Sequence, residues 1–245
     1  MQSSCCTAIQ RIDAGRANGP MNLNADLGEG AGADELILGF IDSANIACGA
    51  HAGSISISIA TAWRCRQLGV EVGAHPGYDD RAGFGRVERA LTPAEIEALV
   101  AYQVAGLAAV VPISYVKPHG ALYHRCQRDP EAADAVARVA KSHGVGLLGQ
   151  PGFEILAAAG RAGIPGYREG YADRLVMPDG TLASRANPGA LLNAAAAAKQ
   201  AVRLAQSRGY DTICIHGDSK GAAKVASSVR QALREAGVET RPLVG

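Results

Sequence analysis

Aromatic residues are scarce in this chain, at 4% of 245 residues. Base-stacking platforms need more than that. The formal net charge of +1 also lacks the basic excess of a nucleic-acid surface, so nucleic acid is not an expected partner. No apolar run reaches the roughly 18–20 residues of a membrane span, and no membrane partner is expected. The first twenty residues lack the apolar middle of a secretory signal and any periodicity. Residues 1–20 therefore read as a flexible leader, with one folded domain over residues 21–245. None of the six cysteines (Cys5, Cys6, Cys48, Cys65, Cys126, Cys214) forms a CxxC pair, which removes a zinc ribbon or dithiol redox motif. Four sit in or beside apolar runs, as reduced buried thiols do, and a reducing, cytoplasmic compartment follows. The nucleotide loop GxxxxGK[ST] is missing, so ATP binding by this chain alone is unsupported.

Hydrophobic content of 48% and charged content of 19% are those of an ordinary globular enzyme. Short β-type runs alternate with longer helical patterns. Strands are expected near Asn22–Asp26, Ala44–Cys48, Glu71–Ala74, Ser114–Lys117, Gly146–Gly149, Gly166–Glu169 and Thr212–His216. The clearest helix spans Thr92–Val110. Thr92, Pro93 and Glu95 supply an N-cap, a proline at the first helical position and a capping-box partner. Ile96, Leu99, Val100, Gln103, Val104 and Leu107 then trace one mostly apolar face. Further helices are expected over Ser54–Leu68, Asp129–His143, Gly152–Ala162, Pro188–Ser207 and Lys220–Ala236. Seven strands alternating with helices imply parallel βαβ units. Polar and glycine-rich signals follow most strands rather than one switch point, which favours a seven-stranded parallel βα barrel over an open sheet. Arg174–Arg185, with Pro178-Asp179-Gly180 as its turn, reads as a small hairpin decorating it.

Chemistry-bearing residues collect at the expected strand ends, where a barrel places its active site. Asn22, Asn24, Asp26 and Glu29 end the first run, and Asn45 and His51 follow the second. His75, His119 and His216 follow later strands. A single such histidine reads as a hydrogen-bonded structural residue; four at one mouth read as a site. Asp26 with His51 and His119 suits a divalent first-row ion, since carboxylate and imidazole together favour one. Without a metal, Asp26 or Glu29 serves as general base and a histidine as acid. Lys117 either stabilises a developing oxyanion or phosphate or forms a buried ion pair, with Glu169 as partner. Arg168 either lies in a solvated loop or clamps a substrate carboxylate. Asp218, in His216-Gly217-Asp218-Ser219-Lys220-Gly221, caps a helix or sits beside an anion site. The Arg81–Arg86 loop is a lid or a plain surface loop.

The motifs N-A-D-L-G-E, S-A-N-I-A-C-G-A-H-A-G, G-A-H-P-G-Y, G-F-G-R, V-K-P-H-G-A-L-Y, R-E-G-Y-A-D-R, D-G-T-L-A-S-R, N-P-G-A and I-H-G-D run in this order from about Met21 to about Ala236. Together they resemble the LamB/YcsF family, component A of the bacterial ATP-dependent 5-oxoprolinase. The resemblance implies a barrel of the glycoside hydrolase/deacetylase type. It also implies cytosolic cleavage of 5-oxo-L-proline to L-glutamate with ATP hydrolysis. Partner subunits B and C, similar to allophanate-hydrolase and carboxyltransferase types, would bind the ATP and phosphorylate the lactam, and this chain would open the ring. Asp26, His51, His75, Lys117 and His119 lie within matching motifs and are carried into the site. Asn24, Asn45, His51, His75, Arg168 and His216 are expected to contact substrate, and Lys117 and His119 to stabilise the charge developing at the former lactam carbon. Two departures border that site: the short Gly30–Ala33 spacer, and Ser54 where the family has aspartate. Both bear on substrate rather than fold. The competing readings are a stand-alone metal-dependent deacetylase or amide hydrolase on the same scaffold, and a non-catalytic scaffold subunit.

Overall fold

The computed structural model describes residues 20–244. Of the expected leader, all but Pro20 lies outside the described residues. The seven expected strands form as β1 (Asn22–Leu27), β2 (Ser43–Ala47), β3 (Glu71–His75), β4 (Tyr115–Val116), β5 (Gly146–Gly149), β6 (Gly166–Tyr171) and β7 (Thr212–His216). All neighbours pair in parallel, and β1 pairs with β7 to close the barrel. Parallel pairing requires a crossover between successive strands. The crossovers carry α1 (Asp34–Leu38), α2 (Ile55–Leu68), α3 (Pro93–Ala108), α4 (Gly120–Arg128), α5 (Pro130–Ser142), α6 (Glu154–Ala162) and α7 (Ala194–Ser207), and α8 (Ala222–Glu235) follows β7.

Local signals set the helix starts. The capping box of α3 is complete: Thr92 accepts from the Glu95 amide and the Glu95 carboxylate accepts from the Thr92 amide. Its inner face buries Ile96, Val100, Gln103, Val104 and Leu107. Ser54 is the N-cap of α2, accepting from the Ile57 amide, as serine commonly does at a helix start. The expected helix over Pro188–Ser207 begins only at Ala194, where the Asn193 side chain caps it. Helices α1 and α4 go beyond the sequence expectation: the first is a single turn, and the second opens on glycine within a motif.

The strand period of two separates two environments. Leu23, Ala25 and Leu27 of β1 join the apolar layer between barrel and helices. Each fully buried leucine or isoleucine there contributes about 1.5–3 kcal/mol. Asn22, Asn24 and Asp26 take the opposite face and fill the barrel interior with hydrogen bonds. Ser43 and Thr212 donate to Asn22, while Asn24 donates to Thr212 and accepts from Asn45. At the N-terminal end, Leu243 packs against Tyr115 and Leu148, while Met21 pairs with Thr240. The open end is therefore the C-terminal mouth.

Candidate active site

Strand register builds the first level of the mouth. Asp26 is paired with Asn45 on β2 and with His216 on β7. The Asn45 amide donates to Asp26 Oδ1 at 2.7 Å, and Lys117, just past β4, donates to the same oxygen at 2.8 Å. Asp26 Oδ2 faces His75 Nε2 at 3.5 Å and His216 Nε2 at 3.8 Å. Burial alone would raise the Asp26 pKa, but Lys117 and His75 hold it well below the usual carboxylate range.

Lys117 also reaches Glu169 Oε1 at 2.9 Å and Cys214 Sγ at 3.0 Å. An ammonium has three N–H donors, and these three partners use them all. Burial works against its charge, yet Asp26, Cys214 and Glu169 raise its pKa well above the ordinary lysine value. Lys117 thus fixes charge at the floor rather than offering a free N–H to substrate. The ion pair with Glu169 read from sequence is present, with Asp26 as a second carboxylate.

His216 is oriented by a residue that sequence reasoning passed over. Asp173 accepts from both the His216 amide and Nδ1 at 3.0 Å. A carboxylate oxygen so placed fixes the tautomer and leaves Nε2 as an acceptor facing Asp26. The Tyr171 ring stacks on the imidazole, with centroids 5.6 Å apart and planes at 16°.

A second level forms behind His75. The donor atoms of Glu29, His51, His75 and His119 all lie within 4.8 Å of one another. His51 and His119 stack with centroids 3.8 Å apart. Gly85 makes this packing possible: at φ +64° its added Cβ would stand 2.7 Å from His51 Cβ and 2.9 Å from His119 Cδ2. The Arg81–Arg86 loop therefore lies directly on the histidines. Its Phe84 carbonyl accepts from His119 Nε2 at 2.9 Å, and Arg81 donates to the carbonyls of Gly49 and Gly53.

Hydrogen bonds fix the histidine tautomers. A carbonyl only accepts, so His119 Nε2 carries its proton toward Phe84, and His75 Nδ1 carries its proton toward Lys117 O at 2.7 Å. That leaves His119 Nδ1 and His75 Nε2 as bare lone pairs facing each other at 3.0 Å. Two acceptors at that distance need a proton or a cation between them. Glu29 Oε1 lies 3.4 Å from His119 Nδ1 and 3.5 Å from His51 Nε2, and neither Glu29 Oε1 nor His51 Nε2 has a hydrogen-bond partner. Donors of a tetrahedral zinc site stand roughly 3.3 Å apart, given bonds near 2.0–2.1 Å. The four residues fit such an ion, and two of them hold the second-shell backbone contacts typical of metal-bound imidazoles. The set expected from sequence, Asp26 with His51 and His119, is corrected in part: Glu29 and His75 complete the group, because Lys117 and Asn45 hold Asp26 on the far side of His75. Burial lowers the His51 pKa to about 3 and also lowers that of His119. Burial, then Asp26, raises that of Glu29.

A cavity of about 530 Å³ opens onto the first level, and Asp26, His75, Lys117, His119, Tyr171 and His216 line it. Glu29, His51, Asn24 and Asn45 are buried around it rather than along it. Asn45 supports Asp26 directly and Asn24 holds Asn45 in turn, so these two, and His51 beside them, are placed behind the cavity wall and not as the substrate contacts expected from sequence. Arg168 is at the wrong end of the barrel for a clamp. Its guanidinium forms a two-pronged pair with Asp211, which immediately precedes β7. The arginines that do line the cavity are Arg86, Arg128, Arg174 and Arg185. Arg86, Arg174 and Arg185 end the motifs G-F-G-R, R-E-G-Y-A-D-R and D-G-T-L-A-S-R, but nothing local shows that they meet, and Arg128 at the end of α4 has no motif of its own.

Fold and mouth together define a closed seven-stranded parallel βα barrel with a buried polar centre at its C-terminal end. A family 4 carbohydrate esterase from Streptomyces lividans shares this architecture, with a TM-score of 0.54 at 12% identity over 91% of this chain and 92% of the esterase; that likeness is one of fold alone. The LamB/YcsF family profile matches residues 21–245, and this chain belongs to that family. It is 43% identical to 5-oxoprolinase component A of Chloroflexus aggregans, over 90% of this chain and 98% of the relative. It is 41% identical to the protein of that name from Neisseria meningitidis serogroup A, over 89% and 98%. The lactam utilization protein of Thermus thermophilus superposes with a TM-score of 0.83 at 38% identity, covering 91% of this chain and 99% of that one.

Proposed function

We propose that this chain is the ring-opening subunit of an ATP-dependent 5-oxoprolinase, cleaving 5-oxo-L-proline to L-glutamate in the cytoplasm. Subunits B and C would be its partners and would bind the ATP, since this chain has no nucleotide loop. The relatives' names support the substrate. The observation that carries the chemistry is the pairing of Asp26 Oδ2 and His216 Nε2 across 3.8 Å at the cavity. A water held between them is aligned by the carboxylate and loses its proton to the imidazole. Its oxygen attacks the lactam carbon, whose oxygen the partners have phosphorylated from ATP; the ring C–N bond breaks, the nitrogen leaves with the proton returned by His216 and that of the added hydroxyl, and the acyl phosphate so formed releases phosphate to a second water. Asp173 keeps His216 in the required tautomer, as orienting carboxylates do in other acyl-transfer sites. The charge on Lys117 holds Asp26 ionised.

A divalent ion held by Glu29, His51, His75 and His119 would add Lewis-acid polarisation beside this centre. Dialysed protein incubated with Zn²⁺ should retain about one ion per chain by elemental analysis, and melt higher. His51→Ala and His119→Ala should reduce retention to background. No retention by the native chain would assign the 3.0 Å contact to a shared proton instead.

That Glu/His group is also the observation that favours the second reading, a stand-alone metal-dependent amide hydrolase or deacetylase. Omitting ATP separates the two. The proposed subunit forms glutamate only with ATP and its partners, whereas a stand-alone hydrolase acts with metal alone.

A further inference from the structure

Arg174 stands immediately after Asp173 and is 6% exposed. Buried guanidinium groups are ordinarily paired, because an uncompensated charge in a low-dielectric interior is costly. Among the described residues no carboxylate lies within ion-pair distance of Arg174. Its neighbour Asp173 is committed to His216. One Nη of Arg174 donates to the Ala183 carbonyl of the hairpin, and Nε–H has no partner. The group nevertheless lines the cavity that holds Asp26 and His216.

Three more guanidinium groups line the same cavity, of which Arg128 is paired with Glu88. Arg86 and Arg185 both pair with Asp218, so these two share a single carboxylate and Arg174 has none. Burial, and then the neighbouring Arg185, lower the Arg174 pKa, with Asp173 and Tyr171 acting against them. An arginine keeps its proton even so. The hairpin and the G-F-G-R loop, far apart in sequence, thus converge on a cationic pocket with an unspent N–H. A planar guanidinium fork matches a carboxylate or phosphoryl group in geometry.

We propose that Arg174, with Arg185 and Arg86, forms an oxyanion-binding site that holds a carboxylate or phosphoryl group of the substrate while the reacting carbonyl lies at Asp26 and His216. Assigning the anion to the substrate rests on the functional reading above; the binding of an anion does not. The site takes over the clamp role expected of Arg168.

The test is calorimetric titration and thermal melting of the full chain, as native protein, R174Q and R174K. The probes are inorganic phosphate, 5-oxo-L-proline and the uncharged lactam 2-pyrrolidinone. Phosphate, 5-oxo-L-proline or both should bind the native chain and raise its melting temperature, and 2-pyrrolidinone should not. R174Q should weaken that binding about 10- to 100-fold, the range of a charged hydrogen bond. R174K should fall between, keeping the charge without the fork. Ligand-free R174Q should melt at or above the native temperature, because an unpaired buried charge has been removed. Phosphate binding without competition from 5-oxo-L-proline assigns the site to a phosphoryl group, and competition assigns it to the carboxylate. The proposal is overturned if neither anion binds, if R174Q binds as tightly as native, or if R174Q melts well below native with unchanged affinity. Should R174Q not fold, R174K and R185Q carry the affinity comparison. No partner, ATP or turnover enters these measurements, so their failure and a failed glutamate assay are separate results.

Discussion

Asp26→Asn should lower glutamate formation by the assembled enzyme at least ~10²-fold, with KM little changed. The substitution is nearly isosteric. The oxygen of the new amide can still accept from Lys117 and Asn45, whose bonds of 2.8 and 2.7 Å hold the native carboxylate. Its NH₂ would then face His75 and His216, where the native Oδ2 stands 3.5 and 3.8 Å away. Two things are lost together. The negative charge that steadies the imidazolium formed on His216 disappears, and an N–H now donates to the Nε2 that must take the water's proton. The floor keeps its shape, so the loss falls on kcat. Steady-state kinetics with all partners present would measure it. A scaffold subunit would show activity within about threefold of native.

Lys117→Met should be the most destabilising single change in the barrel, at about 3–5 kcal/mol. Methionine fits the volume but leaves Asp26 and Glu169 buried without their shared cation, and Cys214 without its donor. For a domain of this size the melting temperature should fall by roughly 6–20 °C. Asp26→Asn in the same chain should recover part of the loss, since one of the two orphaned charges is removed. The pH dependence has a definite sign. Asp26 is depressed in the folded protein, so its contribution is present above the unfolded carboxylate value and fades as pH falls through the folded one. Lys117 is raised, so its contribution is present below the unfolded lysine value and fades as pH rises through the folded one. The gap between native and variant should therefore be widest in the neutral range and shrink in strong acid. An unchanged melting temperature would mean that solvent already reaches this pair.

The barrel was legible because its strands are short apolar runs bounded by polar strand ends, and because the parallel order leaves each strand followed by a helix. Even the two-residue β4 was marked by the V-K-P-H-G run that follows it. Helix α4 was hidden by the same run: Gly120 is a poor helix former, and nothing local shows that Tyr123 and Cys126 are buried. At the site, histidines at strand ends pointed to the mouth because position in a barrel strand fixes which end a residue occupies. Arg168 misled for a related reason. It lies mid-strand in β6, and its partner Asp211 is 43 residues away, a pairing that no spacing rule reveals. Arg174, Arg185 and Arg86 meet only after the hairpin and the G-F-G-R loop fold over the mouth. The Glu29, His51, His75 and His119 group likewise depends on loops, with Gly85 admitting the close approach.

The most direct measurement of the central claim mixes this chain with subunits B and C, 5-oxo-L-proline, ATP and magnesium, and follows glutamate while each protein is left out in turn. Glutamate that forms only when this chain is present, with ATP consumed by the partners, is the result the account requires. Full glutamate production in its absence, or glutamate from this chain without ATP, would contradict it.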